Sequence, residues 1–296
     1  MHNPQTSVLE QYLAEDVCVD WQTGDIPACP IPMFTKGMQA NSYFFGHPQW
    51  AKEYFETSHR SETFKARWRK ATGSWDDKIV VDVGCGPGNV YASVGGSPRL
   101  LIGVDISRET LQMARQVGYT PILADAHHLP FIDGFADIVA VNATVHHCDD
   151  MGRVLAEAAR IVRPGGLLVT DKDPQRSAWN FKGLGLFLRN IRFPFYKILG
   201  SKYYIQPDER YARWKTEIHN QQPGDGITLK LYYQVLEPQG FTVKVYPHNH
   251  NLGVEVLEGK HGQSPWRLRL AQRLSGINPD SPSAAQSVMC IARRSN

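Results

Sequence analysis

The feature that most constrains this chain is Val80–Asn89, VVDVGCGPGN, where a β-branched run passes directly into three alternating glycines, Gly84, Gly86 and Gly88. Such a run reads as a buried strand, and the glycines behind it let backbone approach a ligand closely. A side chain at Gly84 or Gly86 would occupy ligand space or forbid a positive φ. The helix expected just after the loop leaves its first N–H groups unpaired and facing the same space.

Twenty-one residues after Gly84, a second apolar run, LLIGVD, ends at Asp105, where a carboxylate can accept two hydrogen bonds from ribose hydroxyls. A glycine-rich loop alone says little, but strand, loop, helix, strand and terminal acid in register form a constellation. The dinucleotide pattern G-x-G-x-x-G requires its third glycine at position 89, and Asn89 stands there. Asp82 adds an anion beside the loop, which repels pyrophosphate and suits a nucleoside bearing an ammonium group. The amino-acid end of S-adenosylmethionine fits that description.

From residue 78 onwards, short β-branched runs alternate with helical patterns, the signature of a mostly parallel sheet covered by helices. Strands are expected over 78–83, 100–105, 120–124, 136–141 and 166–170, the last after a turn at Arg163-Pro164-Gly165-Gly166, with two final strands over 241–246 and 287–292. Pro121 places the third run at an edge or makes it begin there. Met151, Val154, Leu155, Ala158, Ile161 and Val162 recur at helical spacing, and a further helix is expected over 227–236. The fold class is therefore α/β, a Rossmann-like seven-stranded, mostly parallel sheet with helices on both faces. An N-terminal helical lid or extension over 1–76 precedes a main domain over 77–296. Residues 47–71 read as the lid helix, with Trp50, Ala51, Tyr54 and Phe55 on one face.

Two segments are longer than ordinary connections, an inserted cap over about 173–225 and an insertion over about 248–285. The cap holds ten aromatic residues between Trp179 and Trp214, and eight Lys or Arg against two acids between Trp179 and Lys215. Arg189, Arg192 and Lys197 could meet an anionic group of a flat or amphipathic ligand. The run at 181–200 also reads as an interfacial amphipathic helix interrupted at Pro194, so peripheral membrane contact through it is an expectation.

The bulk numbers exclude more than they assign. With 42% hydrophobic and 21% charged residues, the 296-residue chain has the make-up of a folded globular protein. A formal charge of +3 is too small to imply nucleic acid. No basic start followed by an apolar stretch opens the chain, nor do ~18 apolar residues run uninterrupted, so a cytoplasmic location is expected. Cys18, Cys29, Cys85, Cys148 and Cys290 form no C-x-x-C pair; they read as reduced thiols, and no metal site is expected.

Over Ile79 to Asp171 the chain resembles the class I S-adenosylmethionine-dependent methyltransferases, particularly the small-molecule, methyltransferase type 11-like branch. The resemblance rests on DVGCGPG at 82–88, GVDIS at 103–107, ADA at 124–126 followed by LPF, NATVHH at 142–147, and RPGG at 163–166. It implies S-adenosylmethionine as cofactor, held by Asp82, Gly84, Cys85, Gly86 and Gly88 of the loop and by Asp105 and Ile106 after the second strand. It further implies that Asp125 bonds the adenine amine, that Ala126 offers its backbone, and that Asn142 sits near the methionine part.

Methyl transfer needs a nucleophile held behind the methyl and few reactive groups. His146 and His147 follow strand four, where the resembling enzymes open their substrate pocket, and either can serve as general base, His146 slightly favoured. His127 and His128 read as structural, and Asp171 and Asp173 as solvated loop acids after strand five, with orienting the acceptor or holding a cation as their alternative. The acceptor implied is a small molecule methylated on O or N, in the range of secondary metabolites, lipophilic or peptide-derived compounds. A nucleic-acid methyltransferase is the neighbouring alternative, but the Asn-Pro-Pro-aromatic block that grips a flipped base is replaced here by Asn142-Ala143-Thr144-Val145. A non-catalytic S-adenosylmethionine-binding module is the other.

Overall fold

Ile79–Val83 (β1) is buried at every position, as a strand must be when helices cover both faces of its sheet. In the computed structural model, which describes residues 8–21, 25–58, 60–198 and 207–296, with backbone alone at 57, 58 and 192–198, β1 lies inside a seven-stranded sheet. The other strands are β2 (Leu100–Asp105), β3 (Thr120–Leu123), β4 (Ala136–Asn142), β5 (Val162–Pro174), β6 (Phe241–His248) and β7 (Ser287–Arg294). Their order is β3-β2-β1-β4-β5-β7-β6, parallel throughout except for β7, which runs antiparallel to both β5 and β6. The chain leaves β1 towards β2 on one side and pairs β1 with β4 on the other. The crevice at the carboxyl ends of β1 and β4 is thus the switch point where such sheets take ligands.

Among the described residues, α1 (Lys36–Gly46), α2 (Pro48–Ser58) and α3 (Glu62–Thr72) precede the sheet. Within it come α4 (Asn89–Val94), α5 (Arg108–Val117) and α6 (Met151–Arg160), followed by α7 (Gly183–Ile198), α8 (Pro207–Thr216), α9 (Leu229–Leu236) and α10 (Trp266–Leu274). Period-two alternation divides the core. Ile79, Val81, Val83 and Ile102 pack with Leu155 of α6 and with Tyr232 and Leu236 of α9. Val80, Leu101 and Ile138 pack on the opposite face with Phe64 and Trp68 of α3, Val90 of α4 and Leu111 of α5. Pro121 sits in edge strand β3, as expected, where its missing N–H breaks no interior ladder.

Several local expectations are corrected. The stretch 47–71 is two helices: α2 ends at Ser58, and Ser61 N-caps α3 by accepting a hydrogen bond from the Phe64 N–H. Arg163–Gly166 bulges within β5 rather than preceding it: the pairing with β4 steps from Ala136↔Val162 to Ile138↔Leu167. Beyond Thr170, β5 continues against β7, with Asp173 opposite Val288, so Asp171 and Asp173 are fully buried rather than solvated. The helix α7 continues through Pro194 instead of stopping there. In the two long insertions α7 packs on α10, while α8 packs on α1. No helix of the described residues is long and apolar enough to cross a membrane.

Candidate functional site

At the carboxyl ends of β1, β2 and β4, beneath α1 and α2, lies a cavity of about 880 Å³ counted to its open mouth. Its floor is the glycine-rich loop, where Gly84, Gly86 and Gly88 have φ of +69°, +52° and +90°. Each glycine has its own reason. A Cβ at Gly84 would strike the Thr144 side chain, and one at Gly88 would come within 2.9 Å of the Tyr119 ring. A Cβ at Gly86 meets nothing within 4 Å, so there only the conformation and the lined space demand glycine.

Asp105 closes the loop from β2. Its Oδ2 accepts the Gly86 N–H at 2.9 Å and its Oδ1 the Ser107 N–H at 3.0 Å. Burial raises its pKa, against these two donors. Asp82 is fully buried under the loop; its Oδ2 accepts from the Tyr119 hydroxyl at 2.7 Å, while its Oδ1 has no hydrogen-bond partner. Burial pushes its pKa up to about 7, with the charge of Asp105 adding to the rise.

Along the cavity wall after β3, Asp125 receives both the His127 N–H (2.9 Å) and the His127 Nδ1–H (2.7 Å) on Oδ1. The Nε2 of the same imidazole accepts from the Asp150 N–H, which fixes the tautomer and makes His127 the group that orients Asp125. After β4, Asn142 and Ala143 line the cavity, and Ala143 holds a φ of +52° that a side chain rarely adopts. Its N–H donates to the Asp171 carbonyl at 2.7 Å, which pins the turn.

The His-His pair splits. His147 lines the cavity, its Nδ1–H donating to the Thr216 carbonyl at 2.6 Å, so its lone pair is on Nε2. Burial and the neighbouring His146 push its pKa down to about 3. His146 does not line the cavity. Its Nδ1 lies 2.8 Å from Asp173 Oδ1 and its Nε2 3.5 Å from Glu217 Oε2. Although burial opposes the charge, hydrogen bonds to Asp173 and Glu217 raise its pKa to about 9. In turn Glu217, though half-buried, is held well below the usual carboxylate range by its hydrogen bond to His146.

Of the residues singled out from sequence, Gly84, Cys85, Gly86, Asp105, Ile106, Asp125, Ala126, Asn142 and His147 line this one cavity; Asp82, Gly88 and His146 lie behind it. Sequence reasoning missed Met38, Asn41 and Phe45 of α1, which complete the wall with Tyr54 of α2. It also missed Glu217, which no motif marks and which only the α8 connection brings to the histidines. Phe45 meets the His147 ring edge-on at 5.5 Å and the Tyr54 ring at 5.7 Å. In the cap, Arg189 stacks over Trp179 and Phe181 at 5.4 and 5.2 Å, away from the cavity; the side chains of Arg192 and Lys197 lie outside the described residues.

Residues 81–170 match the family model described as a methyltransferase domain. Over 121 residues the chain is 30% identical to a malonyl-[acyl-carrier protein] O-methyltransferase of Hamiltonella defensa, an alignment covering 40% of this chain and 47% of that protein. The chain spans between about a third and a half of the length of the first curated relatives it matches. Among solved structures, a possible histamine N-methyltransferase from Thermotoga maritima superposes with a TM-score of 0.50 at 17% identity, covering 86% of this chain and 99% of that one. The plantazolicin methyltransferase BpumL, solved with S-adenosylhomocysteine, gives 0.51 at 13% identity over 88% and 96%. These two likenesses show the fold. The family match identifies residues 81–170 as a methyltransferase domain, of the kind carried by class I S-adenosylmethionine-dependent enzymes.

Proposed function

We propose that this chain transfers the methyl group of S-adenosylmethionine to a small-molecule acceptor seated between the glycine-rich loop and the N-terminal helices. One observation carries the reading: Gly86, Asp105 and Asp125 line the same cavity as Phe45, Tyr54 and His147.

The donor supplies an electrophilic methyl on a sulfonium; the residues of the chain bind, orient and exclude water. Asp105 takes the ribose hydroxyls and Asp125, held by His127, the adenine amine, with Ile106 and Ala126 between them. Asp82 is the anion beneath the donor's ammonium, and Asn142 flanks the methionine part. On the acceptor side, His147 rather than His146 presents a nitrogen to the cavity, because both ring nitrogens of His146 face carboxylates. The model match ends at residue 170, before the cap, so the acceptors of relatives do not carry over. All five cysteines are free thiols, which supports a cytoplasmic setting.

Incubation with methyl-labelled S-adenosylmethionine, fractionated metabolite extracts and, in parallel, total RNA tests the reading. Label in a small-molecule fraction is expected. Label confined to RNA replaces the acceptor class, and tight S-adenosylhomocysteine binding without labelled product from any source leaves a binding module. Asp105→Ala should weaken S-adenosylhomocysteine binding by about 1.5 to 3 kcal/mol in calorimetry, as loss of two bonds to a charged acceptor requires.

A further inference from the structure

We propose that His146, His147 and Glu217 form a binding site for one divalent transition ion, zinc by ligand type, at the acceptor edge of the cavity. The adjacent His146 and His147 are met by Glu217 from the far side of the cap, and one ligand atom from each of the three lies within 4.8 Å of the others. The His146 and His147 rings are 3.9 Å apart between centroids, and His146 Nε2 is 3.5 Å from Glu217 Oε2.

What distinguishes this group from an ordinary buried ion pair is the shell around it. The Nδ1 of His146 is bound to the Asp173 carboxylate and the Nδ1 of His147 to the Thr216 carbonyl. Metal-ligating histidines have this arrangement, one ring nitrogen tied to a carboxylate or carbonyl and the other left for the ion. The Glu217 carboxylate is itself oriented by the Asn220 side-chain amide at 2.9 Å. Two imidazoles beside the buried Asp173 and half-buried Glu217 carboxylates balance a charge of two, and the ion takes the place of the proton between His146 and Glu217. A two-nitrogen, one-oxygen set suits zinc and leaves a fourth position open.

The inference deepens the proposed function and rests on it in one respect, that the cavity beside His147 holds the acceptor. The open position then selects an acceptor with a hydroxyl or phenol oxygen. On binding, that oxygen loses its proton to solvent water; its lone pair forms the O–CH3 bond as the C–S bond breaks, and the bonding electrons leave on sulfur as a neutral thioether.

The test is a titration of chelator-treated, tag-free protein with Zn(II) by calorimetry and with Co(II) by visible absorption. One ion per chain is expected, with Co(II) bands of a low-coordinate nitrogen–oxygen site. Glu217→Gln and His147→Ala should each abolish those bands, and Asp173→Asn should weaken affinity by about 10- to 100-fold. S-adenosylhomocysteine affinity, measured on the same metal-free samples, reports whether each variant is folded and whether the donor site exists independently of the ion. Zn(II) binding of equal strength in the parent and Glu217→Gln, or no saturable binding in a parent that still binds S-adenosylhomocysteine, overturns the metal site alone. Ion binding without S-adenosylhomocysteine binding instead overturns the donor reading.

Discussion

At the scale of single residues, Asp82 and the glycines show how a carboxylate and an absence of side chain divide one task. Burial lifts the folded-state pKa of Asp82 from 3.8 to about 7. Between those values the folded chain keeps a proton that the unfolded chain has lost, so stability falls as pH rises, by up to about 1.4 kcal/mol per pH unit. His147, held neutral on folding, slopes stability the other way below about pH 6.5, so urea melts from pH 4 to 7 should show the Asp82 slope as the difference between the parent and Asp82→Asn. Because an ammonium beside the ionised form offsets the burial, S-adenosylmethionine should bind more tightly as pH rises through about 7 in the parent only; a parallel pH profile in the variant would falsify the assignment. The glycines separate just as cleanly. Gly84→Ala drives a methyl into Thr144, whereas Gly86→Ala adds one to open space at a φ of +52°. The latter should cost about 1 to 2 kcal/mol of stability, and it should reduce S-adenosylhomocysteine affinity by clearly more in calorimetry. Sequence alone reads both as ligand clearance; at Gly84 the neighbour is Thr144, sixty residues away and invisible to local spacing.

At the scale of elements, legibility follows burial pattern. The strands of the sheet's first half stand out because runs buried on both faces are continuous in sequence, and Asp105, at the end of such a run, stands out with them. By contrast α1 carries Lys36, Gln39, Asn41 and Ser42 among its apolar residues, and its buried face of Met38, Asn41 and Phe44 mixes polar with apolar. No periodic stripe announces it, which is why the wall it gives the cavity went unread. Nor does composition show that β5 carries Asp171 and Asp173 into the interior, since two acids in three residues ordinarily mark a loop. They are tolerated because partners from α3, β6 and the histidine turn reach them. The cap helix α7 is held differently, by close approach: a Cβ at Gly185 would strike Ser275 Oγ and the Ala271 carbonyl. Gly185→Val should therefore push α7 off α10 and destabilise by about 1 to 3 kcal/mol in denaturant melts. S-adenosylhomocysteine affinity should hold, because neither helix lines the cavity.

At the scale of the molecule, the question is whether residues 1–76 are a detachable lid or part of the folding unit, and the buried charge of Asp171 decides it. Its Oδ2 accepts from Arg67 Nη2 at 2.8 Å, from Arg67 Nε at 3.1 Å and from the Trp68 indole at 3.1 Å; its Oδ1 faces His248 Nε2 at 2.8 Å. Arg67 spans further, donating to the Leu252 carbonyl at 2.8 Å. One helix ahead of the sheet thus supplies the counter-charge for a strand in its centre and grips the second insertion. With Arg67 and Asp171 almost wholly excluded from water, taking away the guanidinium strands a carboxylate in an apolar interior. Arg67→Met should accordingly cost about 3 to 5 kcal/mol, and Arg67→Lys should recover little of it, since an ammonium cannot donate in parallel to one carboxylate and reach Leu252. The same reasoning predicts that a 77–296 fragment, lacking Phe64, Arg67 and Trp68, exposes the part of a core face that α3 covers and leaves Asp171 without its guanidinium partner. Its urea transition should be broad and non-cooperative where that of the full chain is a single sharp step. A fragment that melts as sharply as the parent, and at a similar midpoint, would mean that the N-terminal helices only cover a domain complete without them.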